Sequence, residues 1–123
     1  MKFYQCNHCK NIVVYAYSKG VPVFCCGEKM KELVPGTVDA AKEKHIPEVT
    51  VDGNLVKVKV GSVTHPMTEE HHIAWIYLQT DRGGQRKCVP VNGAAEVTFA
   101  LTDEKPVAVY AYCNLHGLWK TDI

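Results

Sequence analysis

The sequence predicts a mainly β fold, in which a small cysteine-rich module precedes a β-sandwich. The segment before Thr37 holds four cysteines among glycines and prolines, a turn-rich pattern with little room for an apolar core. From Glu48 onward, short runs of alternating apolar and polar residues are separated by turn signals. No long helical pattern lies between these runs, and this favours a sandwich of short strands.

The elements follow in chain order. Residues 37–43 fit one or two helical turns with Thr37 as N-cap, because Pro47 prevents much continuation, and we interpret them as a connector. Glu48–Val51 and Leu55–Val60 alternate on either side of an Asp-Gly turn, which is typical of a hairpin. Four more strands are predicted: Ile73–Thr80, Arg86–Val91, Glu96–Leu101 and Val107–Tyr112. The turns between them are predicted at Arg82-Gly83-Gly84, Asn92-Gly93 and Asp103–Pro106.

Length and composition set limits on organisation and partners. The 123 residues suit one domain with a small attached module, and we predict the boundary between residues 1–36 and 37–123. A formal net charge of +1 provides no basic field for nucleic acid. The apolar stretches are far shorter than the roughly 20 residues of a membrane span, and no signal peptide pattern is present. We therefore expect a cytoplasmic protein that binds neither nucleic acid nor membrane.

Four cysteines near the start of the chain predict a metal site. Cys6 and Cys9 form a C-x-x-C knuckle, and the adjacent pair Cys25 and Cys26 follows later. Four thiolates at such spacings are typical of a tetrahedral sulfur site, and the spacing does not choose between iron and zinc. A disulfide is less favourable, because adjacent cysteines are bridged only through a strained ring.

A second set of metal-ligating residue types is dispersed through the rest of the chain: His45, His65, His71, Cys113 and His116. Five ligands exceed the four of a structural zinc site. Imidazoles with one soft thiolate suit a redox metal such as iron, with a sixth position open to a small oxidant. Counting does not choose between His71 and His72, which would face opposite sides of a strand. His8, His72 and Cys88 are interpreted as ordinary surface or strand residues.

The two sets together resemble desulfoferrodoxin, the two-iron class of superoxide reductase. Five segments carry the resemblance, in order along the chain: Phe3-Tyr4-x-Cys6-x-x-Cys9, Cys25-Cys26-Gly27-Glu28-x-Met30, Glu43-Lys44-His45-x-Pro47, His65-Pro66-Met67-x-x-x-His71 and Cys113-Asn114-x-His116-Gly117-x-Trp119. The six-residue step from His65 in the family motif selects His71. One position departs from the pattern, because Lys10 follows the knuckle where the family has glycine, at a cost of ~1 kcal/mol.

The resemblance implies a desulforedoxin-like module followed by an immunoglobulin-like, seven-stranded β-sandwich. It also implies two iron ions per chain, one held by the four cysteines and one by the second set. At the latter, four equatorial histidines and axial Cys113 would bind ferrous iron, with His116 binding through Nδ and the others through Nε. The implied activity is one-electron reduction of superoxide to hydrogen peroxide.

The resemblance further implies roles next to the iron and partners in solution. Glu43 would occupy the open position in the ferric resting state, and Lys44 would lie near the same opening. A rubredoxin-like protein would return the electron, and the chain would form a homodimer. Two alternatives remain: a zinc knuckle on a β-sandwich binding module, which leaves the second set unexplained, and a rubredoxin-like electron carrier, which leaves the open position without a purpose.

Overall fold

A computed structural model describes all 123 residues, which form two compact units, Met1–Val34 and Pro35–Ile123. Nearly every regular element is a β-strand, and this confirms the mainly β fold class. The single α-helix has four residues, so the structure contains no helix with the length and hydropathy that crossing a bilayer requires.

The first unit contains five short strands. β1 (Phe3–Gln5) lies between β2 (Ile12–Val14) and β5 (Lys31–Leu33), and β3 (Phe24–Cys25) pairs with β4 (Glu28–Lys29). Its buried residues are Phe3, Cys6 and Met30. Three side chains form too small a core to fold a unit of this size, so it depends on a further stabilising element such as a bound metal.

The cysteines of this unit lie at its turns. The knuckle joins β1 to β2, and the second pair lies at the β3–β4 turn. Lys10 and Cys26 have left-handed backbones, with φ of 68° and 54°. Lys10 follows Cys9 and Cys26 follows Cys25, and in each case the chain reverses direction at that point. The left-handed backbone costs each of these residues ~1–2 kcal/mol of conformational free energy.

The second unit contains the helix and seven strands in two sheets. The elements are α1 (Lys42–His45), β6 (Pro47–Asp52), β7 (Leu55–Val60), β8 (Ile73–Thr80), β9 (Gly83–Cys88), β10 (Glu96–Ala100), β11 (Pro106–Cys113) and β12 (Gly117–Asp122). The sheets have the strand orders β10-β7-β6 and β12-β11-β8-β9. The apolar core comes from both sheets and includes Val56, Val58, Ile76, Phe99 and Val109.

Two predicted elements differ from the structure. The helix begins at Lys42 with Ala41 as N-cap, so the prediction that Thr37 caps it is wrong. The preceding residues instead lie against β12, where a Cβ added at Gly117 would be 3.1 Å from Val38 Cγ2. The residues before Ala41 accordingly form bends and irregular backbone and no helical turn.

The strand β9 begins three residues earlier than predicted. Gly83 pairs with Thr80 and Gly84 pairs with Gln79, so these two glycines belong to the strand and not to the predicted turn before it. The Tyr77 ring lies over Gly84, where any Cβ would overlap it, so glycine is needed inside the strand. The last strand, β12, was not predicted, and it brings the sandwich to seven strands.

Candidate metal centres

The four cysteines of the first unit form one cluster, which we call the front centre. All four Sγ atoms lie within 4.8 Å of one another. Cys9 Sγ is 3.6 Å from Cys25 Sγ, and Cys25 Sγ is 4.0 Å from Cys26 Sγ, so the thiols are free. Sulfurs bound tetrahedrally at ~2.3 Å from one ion would be about 3.8 Å apart. The spacing fits a single metal ion.

Electrostatics in the front centre also favour a cation. The backbone N–H groups of Cys9 and His8 direct hydrogen bonds at Cys6 and hold the pKa of its thiol down at about 6. Hydrogen bonds with the neighbouring Cys9 and Cys6 raise the pKa of Cys25 to about 12. Crowded sulfurs cannot all ionise without a compensating positive charge, and a metal ion supplies it.

Glu28 connects the two cysteine turns. One carboxylate oxygen accepts a hydrogen bond from Asn7 Nδ2 at 3.3 Å, and the other lies 2.5 Å from His8 Nε2. The contact with His8 lowers the pKa of Glu28. Since Asn7 and His8 lie between Cys6 and Cys9, this carboxylate holds the knuckle against the turn that carries the other two sulfurs.

The second set comes together in the second unit, from three separate segments. His45 ends α1, Cys113 ends β11, and His116 lies in the turn before β12. His65 and His71 lie in the connection between β7 and β8. The ligand atoms of His45, His65, His71 and Cys113 lie within 4.8 Å of one another. His116 joins them, since its Nδ1 is 3.1 Å from His45 Nε2 and 4.0 Å from Cys113 Sγ. We call this group the His4Cys centre.

The four imidazoles form a closed circuit. Neighbouring ring centroids are 4.7 Å apart for His45–His65 and His65–His71, 5.0 Å for His71–His116 and 4.9 Å for His116–His45. Neighbouring rings are nearly perpendicular, at 78° to 89°. Across the circuit, His45 and His71 are 6.4 Å apart. The rings thus lie at the corners of an approximate square, which is the arrangement of four equatorial ligands.

Hydrogen bonds fix which nitrogen faces inward in the rings of His45 and His65. His45 Nδ1 lies 2.6 Å from the carbonyl oxygen of Ala41, and His65 Nδ1 lies 2.7 Å from that of Pro66. A ring that donates from Nδ1 presents the lone pair of Nε2. His65 Nε2 and His71 Nε2 are buried without any hydrogen-bond partner. A buried imidazole nitrogen without a partner is costly, and a metal ion removes that cost.

The charge state of these residues suits a metal. Burial lowers the pKa of His65 to about 4 and also lowers that of His45 and His71. These rings are therefore neutral at pH 7 and have a free lone pair. Burial raises the pKa of the Cys113 thiol, so a thiolate here requires an adjacent cation. Neutral nitrogens, one sulfur and two nitrogens without partners together fit a bound redox metal.

A protein-family model for desulfoferrodoxin matches residues 37–122. The chain belongs to the desulfoferrodoxin family. A desulfoferrodoxin from Nitratidesulfovibrio vulgaris is 46% identical over 121 residues, covering 98% of this chain and 95% of that protein. The crystal structure of the superoxide reductase from Treponema pallidum has a TM-score of 0.82 and 50% identity, covering 98% of both chains. The superoxide reductase (1Fe-SOR) from Giardia intestinalis has a TM-score of 0.57 and 36% identity, covering 67% of this chain and 98% of that one.

In this member of the desulfoferrodoxin family, the remaining predicted site residues lie beside the His4Cys centre. Glu43 and Lys44 are exposed on α1, immediately before His45. Burial is the main cause of the lowered pKa of His45, and the Lys44 charge acts in the same direction. Lys44 also lowers the pKa of His71, after burial and the neighbouring histidines. The field of Lys44 therefore reaches the circuit.

Two residues that were interpreted as ordinary have ordinary contacts. His72 Nδ1 lies 2.9 Å from the Thr68 carbonyl oxygen. Cys88 is exposed on β9 and accepts a hydrogen bond from Arg86 Nη1 at 3.0 Å. Neither residue belongs to the two groups of potential ligands.

Trp119 has a larger part in the centre than the sequence indicated. Its ring is buried and stacks on His45, with centroids 5.0 Å apart and an interplanar angle of 25°. Its Nε1 donates a hydrogen bond to the His116 carbonyl oxygen at 3.0 Å. The indole thus contacts the His45 ring and the backbone of His116, and its position two residues after the C-x-x-H-G turn was the available signal.

Proposed function

We propose that this chain is a superoxide reductase that converts superoxide to hydrogen peroxide by one-electron reduction. The observation that carries the proposal is the square of four imidazoles beside Cys113, in which His45 and His65 are buried and two Nε2 atoms have no protein partner. Four imidazole nitrogens and one sulfur would leave an octahedral metal ion one position for a small anion.

The residues of each centre would hold one iron ion. His45, His65, His71, Cys113 and His116 would hold the catalytic iron, within a superoxide reductase domain that we assign to residues 37–123. Cys6, Cys9, Cys25 and Cys26 would hold the second iron, within a desulforedoxin-like module that we assign to residues 1–36. When bound at the His4Cys centre, ferrous iron supplies the electron that reduces superoxide.

The protein's own donors keep the centre attractive to an anion. Burial holds His45, His65 and His71 neutral, so the Cys113 thiolate is the donor that adds negative charge. A divalent ion held by this set would keep a net positive charge, which would attract superoxide. The Cys113 thiolate would donate electron density to the bound ion, and this would favour loss of an electron from that ion.

Two exposed side chains would act at the opening. Lys44 adds a positive charge whose field reaches His45 and His71, and we assign it the capture of the incoming anion. We assign Glu43 to closing the open position after the electron has been transferred. The two protons that complete hydrogen peroxide would come from solvent, because the Glu43 carboxylate would be occupied in closing the open position.

Family membership supports three further assignments. The electron would be returned by a rubredoxin-like donor, the chain would act as a homodimer, and the protein would work in the cytoplasm. Each can be tested independently of the reaction, by reduction of the iron with a purified rubredoxin, by sedimentation and by cell fractionation.

Metal analysis combined with anaerobic mixing tests the function. The purified chain should contain two irons, and its reduced form should consume superoxide rapidly while the ferric thiolate absorption appears. Oxygen should not be evolved beyond the amount from spontaneous dismutation, since a reductase does not oxidise superoxide. A colourless zinc protein would favour the binding-module alternative. A coloured protein that leaves superoxide unconsumed would favour the electron-carrier alternative.

A further inference from the structure

Asn114, which lies between the two ligands of the C-x-x-H turn, is hydrogen-bonded to the segment that carries His71. Its Oδ1 accepts a hydrogen bond from the His72 backbone N–H at 2.9 Å, and its Nδ2 donates one to the Glu70 carbonyl oxygen at 3.0 Å. Its own backbone N–H donates to the His72 carbonyl oxygen at 3.2 Å. The three bonds engage the residues on both sides of His71.

These bonds occur where the sheet itself no longer holds the two segments together. The β8–β11 ladder has a register irregularity between Tyr112 and Cys113, and its last pair is Cys113 with Ile73. Beyond that pair no strand pairing connects the C-x-x-H turn to His71. The Asn114 side-chain amide has a donor and an acceptor like a peptide group, so it extends the ladder past its end.

We propose that Asn114 is a positioning residue of the His4Cys centre, which sets the His71 imidazole relative to Cys113 and His116 without touching the metal. This inference rests on the proposed function of that centre. Thr68 complements it by fixing His71 itself, since Thr68 Oγ1 accepts from the His71 N–H at 3.1 Å and the Thr68 N–H donates to the His71 carbonyl oxygen at 2.9 Å.

The exposure of Asn114 indicates that it contributes little to the overall stability of the fold and that its main effect is on the position of His71. The Asn114 side chain is exposed, so it buries little apolar surface, and its hydrogen bonds compete with water. The His71 Nε2 atom, by contrast, is buried and has no protein partner that would hold it in place. Loss of Asn114 should therefore change ligand geometry and iron retention more than it changes the stability of the metal-free chain.

The test compares the full-length wild type with Asn114→Ala and with the control Gln85→Ala. Gln85 also donates a side-chain amide hydrogen bond to a backbone carbonyl, that of Ala100 at 2.9 Å, but it lies on β9 and contacts no candidate ligand. Three readouts are measured: iron loss to a chelator, the visible band of the ferric thiolate, and the unfolding midpoint of the metal-free chain. Mössbauer spectra of ⁵⁷Fe-loaded protein distinguish nitrogen-ligated iron from sulfur-ligated iron.

Asn114→Ala should accelerate iron loss from the His4Cys centre by ~10–100-fold, as is typical when an outer partner of a ligand is removed, and should shift the thiolate band. Gln85→Ala should change neither. If Asn114→Ala does not fold, Asn114→Asp replaces it, since that variant keeps the acceptor for His72 and loses the donor to Glu70. It too should lose iron faster than the wild type.

Wild-type iron retention and an unshifted band in the Asn114 variants would overturn the inference, as would equal iron loss in Gln85→Ala. If the wild type reduces superoxide while its Asn114 variants match it in every readout, only the positioning role fails. If the wild type retains no nitrogen-ligated iron, the proposed function fails and the positioning role fails with it.

Discussion

Replacing Gly61 by alanine would test how the segment carrying His45 is held. Gly61 follows β7 with φ of +83°, and its N–H donates to the Ile46 carbonyl oxygen at 3.1 Å. An added Cβ would lie 2.5 Å from the Val63 carbonyl oxygen, 2.7 Å from that of Lys44 and 2.8 Å from that of Glu43. All three are backbone atoms, so none can rotate away.

Two costs combine in Gly61→Ala. A left-handed backbone costs an alanine ~1–2 kcal/mol. Forcing extra volume against fixed atoms typically adds ~1–3 kcal/mol. The control Gly53→Ala has the first cost alone, because Gly53 has φ of +60° and no atom within 4 Å of the added Cβ. We therefore expect a loss of ~2–5 kcal/mol for Gly61→Ala and of ~1–2 kcal/mol for Gly53→Ala.

Denaturant unfolding of the metal-free chain, followed by tryptophan fluorescence, measures both losses. The two tryptophans, Trp75 and Trp119, lie in the second unit, so the signal reports on the unit in question. Gly61→Ala should also weaken iron binding at the His4Cys centre, since relieving the overlap displaces the backbone just before His45. Equal losses in the two variants would refute the reasoning, as would a large loss for Gly61→Ala with iron retention unchanged.

Four further predictions concern the centres and the sandwich. Cys9→Ser should disturb the front iron and leave superoxide reduction largely intact, because the two ligand sets share no residue; loss of most activity with the His4Cys iron still bound would contradict this. Lys44→Ala should slow superoxide capture by about tenfold, less at high salt, whereas Glu43→Ala should leave capture fast and shift the ferric spectrum. Stopped-flow traces at two ionic strengths check both, and the opposite pattern would reverse the assigned roles. Trp119→Phe removes the hydrogen bond to the His116 carbonyl and should lower the free energy of unfolding by about 1 kcal/mol while speeding iron loss to a chelator; an unchanged rate would show that the indole does not support the circuit. Burial raises the pKa of Tyr77, so the stability that its neutral form provides below pH ~10 is lost as the pH rises through the raised value; Tyr77→Phe should reduce this alkaline loss in unfolding curves, and an identical loss would contradict it.

The strands were predictable where alternation alone specifies them. The structure places β7 and β8 at the predicted residues, Leu55–Val60 and Ile73–Thr80, because each presents one apolar face to the core. The start of β9 was not predictable, since the glycines that normally mark a turn lie in the strand beneath Tyr77. The helix cap was mispredicted because the residues around Thr37 lie against β12, where the Gly36 N–H donates to the Leu118 carbonyl oxygen and Val38 lies beside Gly117.

The types and spacings of the candidate ligands are properties of the sequence. Cysteine knuckles and the C-x-x-H turn are local, so Cys6, Cys9, Cys113 and His116 could be singled out before any fold was known. Soft sulfur and neutral imidazole donors were enough to indicate redox metals. The family followed from the order of five such segments, and the family-model match confirms it.

The order of the rings around the circuit and the contacts that support them depend on tertiary structure. His116 Nδ1 lies beside His45 Nε2 across 71 positions of the chain, and Asn114 reaches Glu70 across 44. No local pattern specifies such contacts, because they arise only when the two sheets pack and bring the ends of α1, β7 and β11 to one place. The sequence thus determined which atoms could bind a metal, whereas the packing of the sandwich determined which of them meet and how each is held.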